Sequence, residues 1–308
     1  MATPARILRE TLKVDGRPER QLKQYEAFGM VWGDPLGSFI MGRDAVKDGK
    51  GKDIFGIEYL FPKDEPGRVP HITEETKVLK DITHWRDYVH FPDLEANCSE
   101  GWEFAQSMAA KAREEGKLAT VLMGCGMFEM CHFLMGFEDA LTAFTEHPTE
   151  MHELIEAICE YRMTYLRMLV EHIHPDCVLS HDDWGTSNSL FMRPEIWREF
   201  YKEPYRRFYG YMREQGVIAM HHADSYCAPI ILDMAEIGIQ IWQGVLPEND
   251  IPVLQEELQG RMVLMGGVGA EIDRADVSEE EARAYVSALL EECCPRGHFI
   301  PCITYGLA

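Results

Sequence analysis

The stretch whose residue types can do chemistry is Val217-Ile218-Ala219-Met220-His221-His222-Ala223-Asp224, an apolar run that ends in two histidines and an aspartate. Its pattern predicts a buried β-strand, and successive side chains of a strand point to opposite faces. His222 and Asp224 then share one face and His221 takes the other. An imidazole and a carboxylate two residues apart suit a shared metal ion or a shared substrate proton. The plainer reading is a capped strand end with surface histidines, but burying such groups costs free energy unless they are paired or used.

Other segments end in the same manner. Gly124-Cys125-Gly126-Met127-Phe128-Glu129, His181-Asp182-Asp183-Trp184-Gly185, Gln243-Gly244, Gly266-Gly267-Val268-Gly269 and Pro301-Cys302-Ile303 each close an apolar run with polar, aromatic or glycine residues. Helices must lie between these strands. The spacing predicts helices over Trp102–Glu115, Phe137–Glu146, Glu150–His172, Pro194–Gln215, Pro229–Ile237, Val253–Gln259 and Ser278–Cys294, the last opened by a capping-box pattern. Strand alternating with helix means parallel βα units, either a closed (β/α)8 barrel or an open doubly wound sheet. No GxGxxG follows a strand, which removes the usual support for a dinucleotide fold. The expected architecture is a (β/α)8 TIM barrel, whose chemistry sits at the C-terminal strand ends. Residues 1–308 are expected to form a single barrel domain, with residues 1–100 an irregular elaboration plus the first barrel units. Helical pattern is expected over Pro4–Leu12 and Arg20–Phe28, with extended pieces such as Ile54–Leu60.

The totals narrow the class. With 30 Lys+Arg against 52 Asp+Glu, the 308-residue chain carries a formal charge of −22. So acidic a surface argues against nucleic acid and anionic membranes, and suits a partner with a basic docking patch. No leader pattern and no apolar run long enough to span a bilayer occur. The 9 cysteines read as reduced thiols, and a cytoplasmic location is expected.

The chain resembles the uroporphyrinogen decarboxylase superfamily from about residue 50 onward. The matching pieces are Phe133-Leu134-Met135-Gly136-Phe137-Glu138-Asp139-Ala140-Leu141, Asp182-Asp183-Trp184-Gly185 with Met192-Arg193-Pro194-Glu195 and Phe200, Met220–Ser225, Glu236-Ile237-Gly238 and Met265-Gly266-Gly267-Val268. The resemblance implies a (β/α)8 barrel. It also divides the possibilities into decarboxylases and corrinoid-linked methyltransferases. The decarboxylases carry an Arg-Gln-Ala-Gly-Arg-Tyr segment that this chain lacks, Gly42-Arg43-Asp44 being a poor substitute, and −22 is the wrong charge for an eight-carboxylate tetrapyrrole. The methyltransferase branch carries His-x-Cys and a distal cysteine that hold zinc. By position His222 matches the histidine and Cys302 the distal cysteine, while Asp224 stands where the branch has its middle cysteine.

The resemblance therefore implies zinc on His222, Asp224 and Cys302, with a corrinoid (cobalamin) supplied by a separate corrinoid protein whose cobalt takes the methyl group. A carboxylate in place of a thiolate leaves zinc the stronger Lewis acid, which favours an ether over a thiol substrate. The expected substrate is a small aromatic O-methyl compound, guaiacol- or veratrole-like. Asp182, Asp183 and His222 are the expected catalytic groups. Met127, Phe128, Trp184, Phe191, Met192 and His221 are the expected substrate-binding residues, although a Met and aromatic stripe is more often plain core. A methylcorrinoid:thiol methyltransferase, a decarboxylase-like enzyme and a non-catalytic corrinoid-docking or ligand-binding barrel stay open as alternatives. A second zinc pattern, Glu138, Glu153 and His174 with 14 and 20 intervening residues, ranks lower, because a continuous helix would hold the last two about 30 Å apart. The text stops at Ala308, directly after the last strand, so either the barrel closes unusually or the sequence is cut short; a barrel without its final helix exposes apolar strand surface, and a homodimer or poor stability is expected.

Overall fold

A computed structural model describes residues 2–41, 49–61, 69–272 and 274–303. Gly42-Arg43-Asp44 and the terminal stretch with Ala308 lie outside the described residues. Ten strands form among them: β1 (Phe28–Val31), β2 (Lys50–Lys52), β3 (Glu58–Leu60), β4 (Val69–Pro70), β5 (Leu118–Met123), β6 (Cys177–His181), β7 (Ile218–His222), β8 (Ile241–Val245), β9 (Val263–Val268) and β10 (Phe299–Ile303). The chain divides into two compact units, one of Met1–Val31, Ser107–Gly124 and Pro175–Ala308, the other of Trp32–Gln106 and Cys125–His174.

The first unit holds a seven-stranded sheet in the order β1-β5-β6-β7-β8-β9-β10, with every neighbouring pair parallel. Parallel strands in chain order, linked by helical crossovers, are the arrangement of a (β/α)8 TIM barrel. Strands covered on both faces read as continuous apolar runs, and β8 and β9 are buried along their whole length. Alternation then selects the interior. Cys177 and Leu179, Ile218 and Met220, Ile241, Val263 and Met265, and Ile300 and Cys302 pack as one core with Ile7, Leu8 and Leu22 from the start of the chain. Beside β10, the Gln24 amide donates to the Pro301 carbonyl at 3.1 Å and the Gln21 side-chain amide to that of Phe299, so residues 21–24 run along that strand.

Two local expectations give way here. No helix covers Arg20–Phe28; a turn occupies residues 24–27 and β1 starts at Phe28. The helix expected over Pro194–Gln215 is two, Pro194–Phe200 and Lys202–Glu214, parted at Tyr201. Pro204 has no N–H to give the Phe200 carbonyl, and its ring crowds that position, so the helix cannot run through.

The second unit contains the antiparallel sheet β2-β3-β4 and the helices Met127–Met135, Phe137–Glu146 and Pro148–Ile173. The first of these occupies text read as the end of a strand. Gly126 precedes it, and its amide is held by Glu129 Oε2 at 3.0 Å. The 26-residue helix Pro148–Ile173 begins on a proline and ends where His174 turns left-handed at φ 51°. Among the described residues no helix is long and apolar enough to cross a membrane.

Candidate metal centre

β6 and β7 end level with each other. His181 and His222 are register partners, and their rings stack with centroids 4.5 Å apart. Both continue the interior-facing series of their strands, after Leu179 and Met220. Asp183 follows two residues past the end of β6. His181, Asp183 and His222 each offer a ligand atom, and these atoms lie within 4.8 Å of one another.

The acids beside them are organised. Asp183 Oδ1 accepts the Asp224 backbone N–H at 3.1 Å and the Ser225 hydroxyl at 3.5 Å. Burial pushes the Asp224 carboxyl up to about 6, the nearby Asp183 charge adding to the rise and His222 and His181 opposing it. On the other side, His222 Nδ1 meets Gln243 Oε1, its register partner on β8. A carboxamide oxygen only accepts, so this contact makes Nδ1 the protonated nitrogen and leaves the lone pair on Nε2. Two imidazoles and a carboxylate, one imidazole fixed by a hydrogen bond behind it, form a donor set that fits zinc with a position left open.

The opposite face of the same strand ends packs against helical residues. His221 is buried with Nδ1 2.7 Å from the Tyr209 hydroxyl, and its ring stacks on Trp184 at 4.0 Å. Asp182 is buried too, accepting from Trp184 Nε1 at 2.8 Å and from the Tyr205 hydroxyl. Tyr205 and Tyr209 belong to the helix Lys202–Glu214, so His221 and Asp182 face the helical layer while His222 faces the barrel interior. Of the expected catalytic acids, Asp183 joins the histidine group and Asp182 is engaged with Trp184 and Tyr205.

Cys302 faces the interior as well, but lies in the apolar core with Tyr25 as its hydrogen-bond partner, and burial pushes its thiol up to about 12. The apolar residues divide between the units. Met127 and Phe128 are fully buried in the helix Met127–Met135 of the second unit. In the first unit Trp184 and Met192 are buried and Phe191 is half-buried, its amide donating to the Trp184 carbonyl at 2.9 Å.

The second zinc pattern is separated by its own helix. Glu153 sits in the unbroken helix Pro148–Ile173, His174 caps its far end, and Glu153 pairs with Arg86 at 2.7 Å. Two residues sequence reasoning passed over are His181 and Gln243. Both were placed at strand ends; aligning adjacent parallel strands by their apolar alternation would have set each beside His222.

Residues 53–301 match the family model for uroporphyrinogen decarboxylase. The chain belongs to the uroporphyrinogen decarboxylase family. In this family member the match runs from the second unit almost to the end of β10. Among solved structures, a methyltransferase from Methanosarcina mazei superposes with a TM-score of 0.67 at 16% identity, covering 98% of this chain and 94% of that one. That likeness is one of fold. A search of curated proteins finds no match.

Proposed function

We propose that this member of the uroporphyrinogen decarboxylase family is a methyltransferase of the corrinoid-dependent branch. It moves a methyl group from a small aryl methyl ether, guaiacol- or veratrole-like, to the cobalt of a separate corrinoid protein. The observation that carries the reading is the convergence of His181, Asp183 and His222 at the C-terminal ends of two adjacent barrel strands. These residues would hold zinc, with Asp224 beside them. Bound there, zinc supplies the Lewis acidity that weakens an ether carbon–oxygen bond. The chain's own groups do the positioning: Gln243 sets the His222 ring, and the Asp224 amide and Ser225 hydroxyl orient the Asp183 carboxylate.

The same strand ends disfavour the decarboxylase alternative. Asp183 and Asp224 lie next to each other there, on a chain of net charge −22, and both features repel a polycarboxylate substrate. None of the 9 cysteines forms a disulfide among the described residues, which supports a reducing cytoplasmic setting for the reaction.

Zinc analysis by mass spectrometry on wild type, His181→Ala, His222→Ala and Cys302→Ala tests the reading. About one zinc per chain is expected in wild type, with loss in both histidine variants and retention in Cys302→Ala. Methyl transfer from 2-methoxyphenol to a reduced corrinoid protein should disappear with the metal. Active wild-type protein free of zinc would sink the metal mechanism, and loss of zinc in Cys302→Ala would move the ligand set toward the thiol.

A further inference from the structure

Gln243 is only 2% exposed, and its side chain continues the interior-facing series of β8 after Ile241. Its two amide atoms face different environments. Oε1 meets His222 Nδ1, whereas Nε2 is buried and has no hydrogen-bond partner among the described residues. A buried N–H without an acceptor is expensive and uncommon in native folds. Apolar side chains would fill this level of the barrel more cheaply, as Ile241 does one level below.

We propose that Gln243 is a bridging residue of the substrate site: its Oε1 fixes the tautomer of His222, and its Nε2–H donates to an acceptor oxygen of the bound ligand. The second half rests on the methyl-ether reading above; the first does not. One planar amide thereby ties the orientation of a metal-binding imidazole to the place where the ligand's oxygen sits. The site then selects ligands that present a hydrogen-bond acceptor beside the histidine group, and rejects isosteres that lack one. The reason is general: a ligand without the acceptor leaves the buried N–H unpaired, and sites built to hydrogen-bond a ligand discriminate strongly on that basis. Geometry limits the alternatives. With the amide turned over, Nε2 would donate to Nδ1, the proton of His222 would move to Nε2, and the ring could no longer offer Nε2 to a metal.

Gln243→Glu keeps an acceptor for Nδ1 and removes the N–H donor, while Gln243→Leu removes both. Three readouts separate the roles: the His222 tautomer by nitrogen-15 NMR of histidine-labelled protein at alkaline pH, assigned against His222→Ala; zinc affinity by chelator competition; and affinity for 2-methoxyphenol by calorimetry on zinc-loaded protein. The expected wild-type tautomer is Nδ1–H, retained in Gln243→Glu. Zinc binding should weaken about 10–100-fold in Gln243→Leu, the usual effect of losing a group that orients a ligand, and stay within about threefold in Gln243→Glu. The latter should bind 2-methoxyphenol at least about tenfold more weakly than wild type. An Nε2–H tautomer in wild type, or wild-type zinc affinity in Gln243→Leu, overturns the positioning role. Wild-type affinity for 2-methoxyphenol in Gln243→Glu overturns the substrate contact. Absence of zinc from wild type would instead defeat the metal reading, with the tautomer still deciding the role of Gln243. Should Gln243→Leu fail to fold, Gln243→Glu and the tautomer measurement decide.

Discussion

Histidines in this chain do different work according to what surrounds them, and His132 shows the case of a ring packed among phenylalanines. Its ring lies among Phe128, Phe133 and Phe137, with centroid separations of 5.0, 4.6 and 5.5 Å. Burial pushes its pKa down to about 4, although the Glu129 charge pulls the other way. An unfolded chain would bind that proton near pH 6.5. Between about pH 6.5 and 4 the unfolded state therefore holds a proton that the native state refuses, so the stability present above 6.5 is lost as pH falls through this window. The full depression corresponds to at most roughly 3 kcal/mol. His132→Leu should flatten the decline of unfolding free energy across that window, measured by urea titration at stepped pH. An unchanged slope would mean that the native ring protonates normally.

At the scale of elements, the register of β8 decides what His222 meets. The pairing of β8 with β9 shifts between Gln243 and Val245, and Gly244 in between has φ 95°. A Cβ there would lie 2.8 Å from the Ala223 carbonyl oxygen, against backbone that cannot step aside. Gly244→Ala is thus disfavoured twice, by left-handed backbone and by collision. It should cost about 1–3 kcal/mol, seen as a fall of several degrees in Tm by scanning calorimetry. Gly210 is the contrast: it lies in the helix Lys202–Glu214 with nothing within 4 Å of an added Cβ. Gly210→Ala should raise stability by about 0.5–1 kcal/mol. A neutral Gly244→Ala would show that the shift in register is not held by that glycine.

The molecule as a whole carries −22, and its ion pairs offset this only locally. Asp176 joins Arg9 and Arg113, each at 2.9 Å, and Lys202 joins Asp233 at 2.6 Å and also Glu236. Exposed pairs contribute little individually, whereas unbalanced like charges destabilise the compact state until salt screens them. Tm should therefore rise as sodium chloride is raised from about 0.02 to 0.5 M, a range over which the screening length falls several-fold. A falling Tm would mean that the ion pairs outweigh the net repulsion.

The local text was enough for the parallel barrel and for the polar strand ends, because apolar runs closed by His, Asp and Gly need no long-range information to be recognised. It placed the helix Phe137–Glu146 to the residue and His222 at the end of a strand. It missed the helix Met127–Met135, whose apolar run fits a buried helix as well as a strand, and the break at Pro204, where one missing N–H outweighs an otherwise helical pattern. Which strand ends meet was decided only by tertiary structure. The pairing of β6 with β7 and of β7 with β8 sets His181 and Gln243 on either side of His222, while Cys302, on the same inner surface, packs into the apolar core. Alternation along a strand is a property of consecutive residues; adjacency between strands depends on a register set by packing the whole sheet.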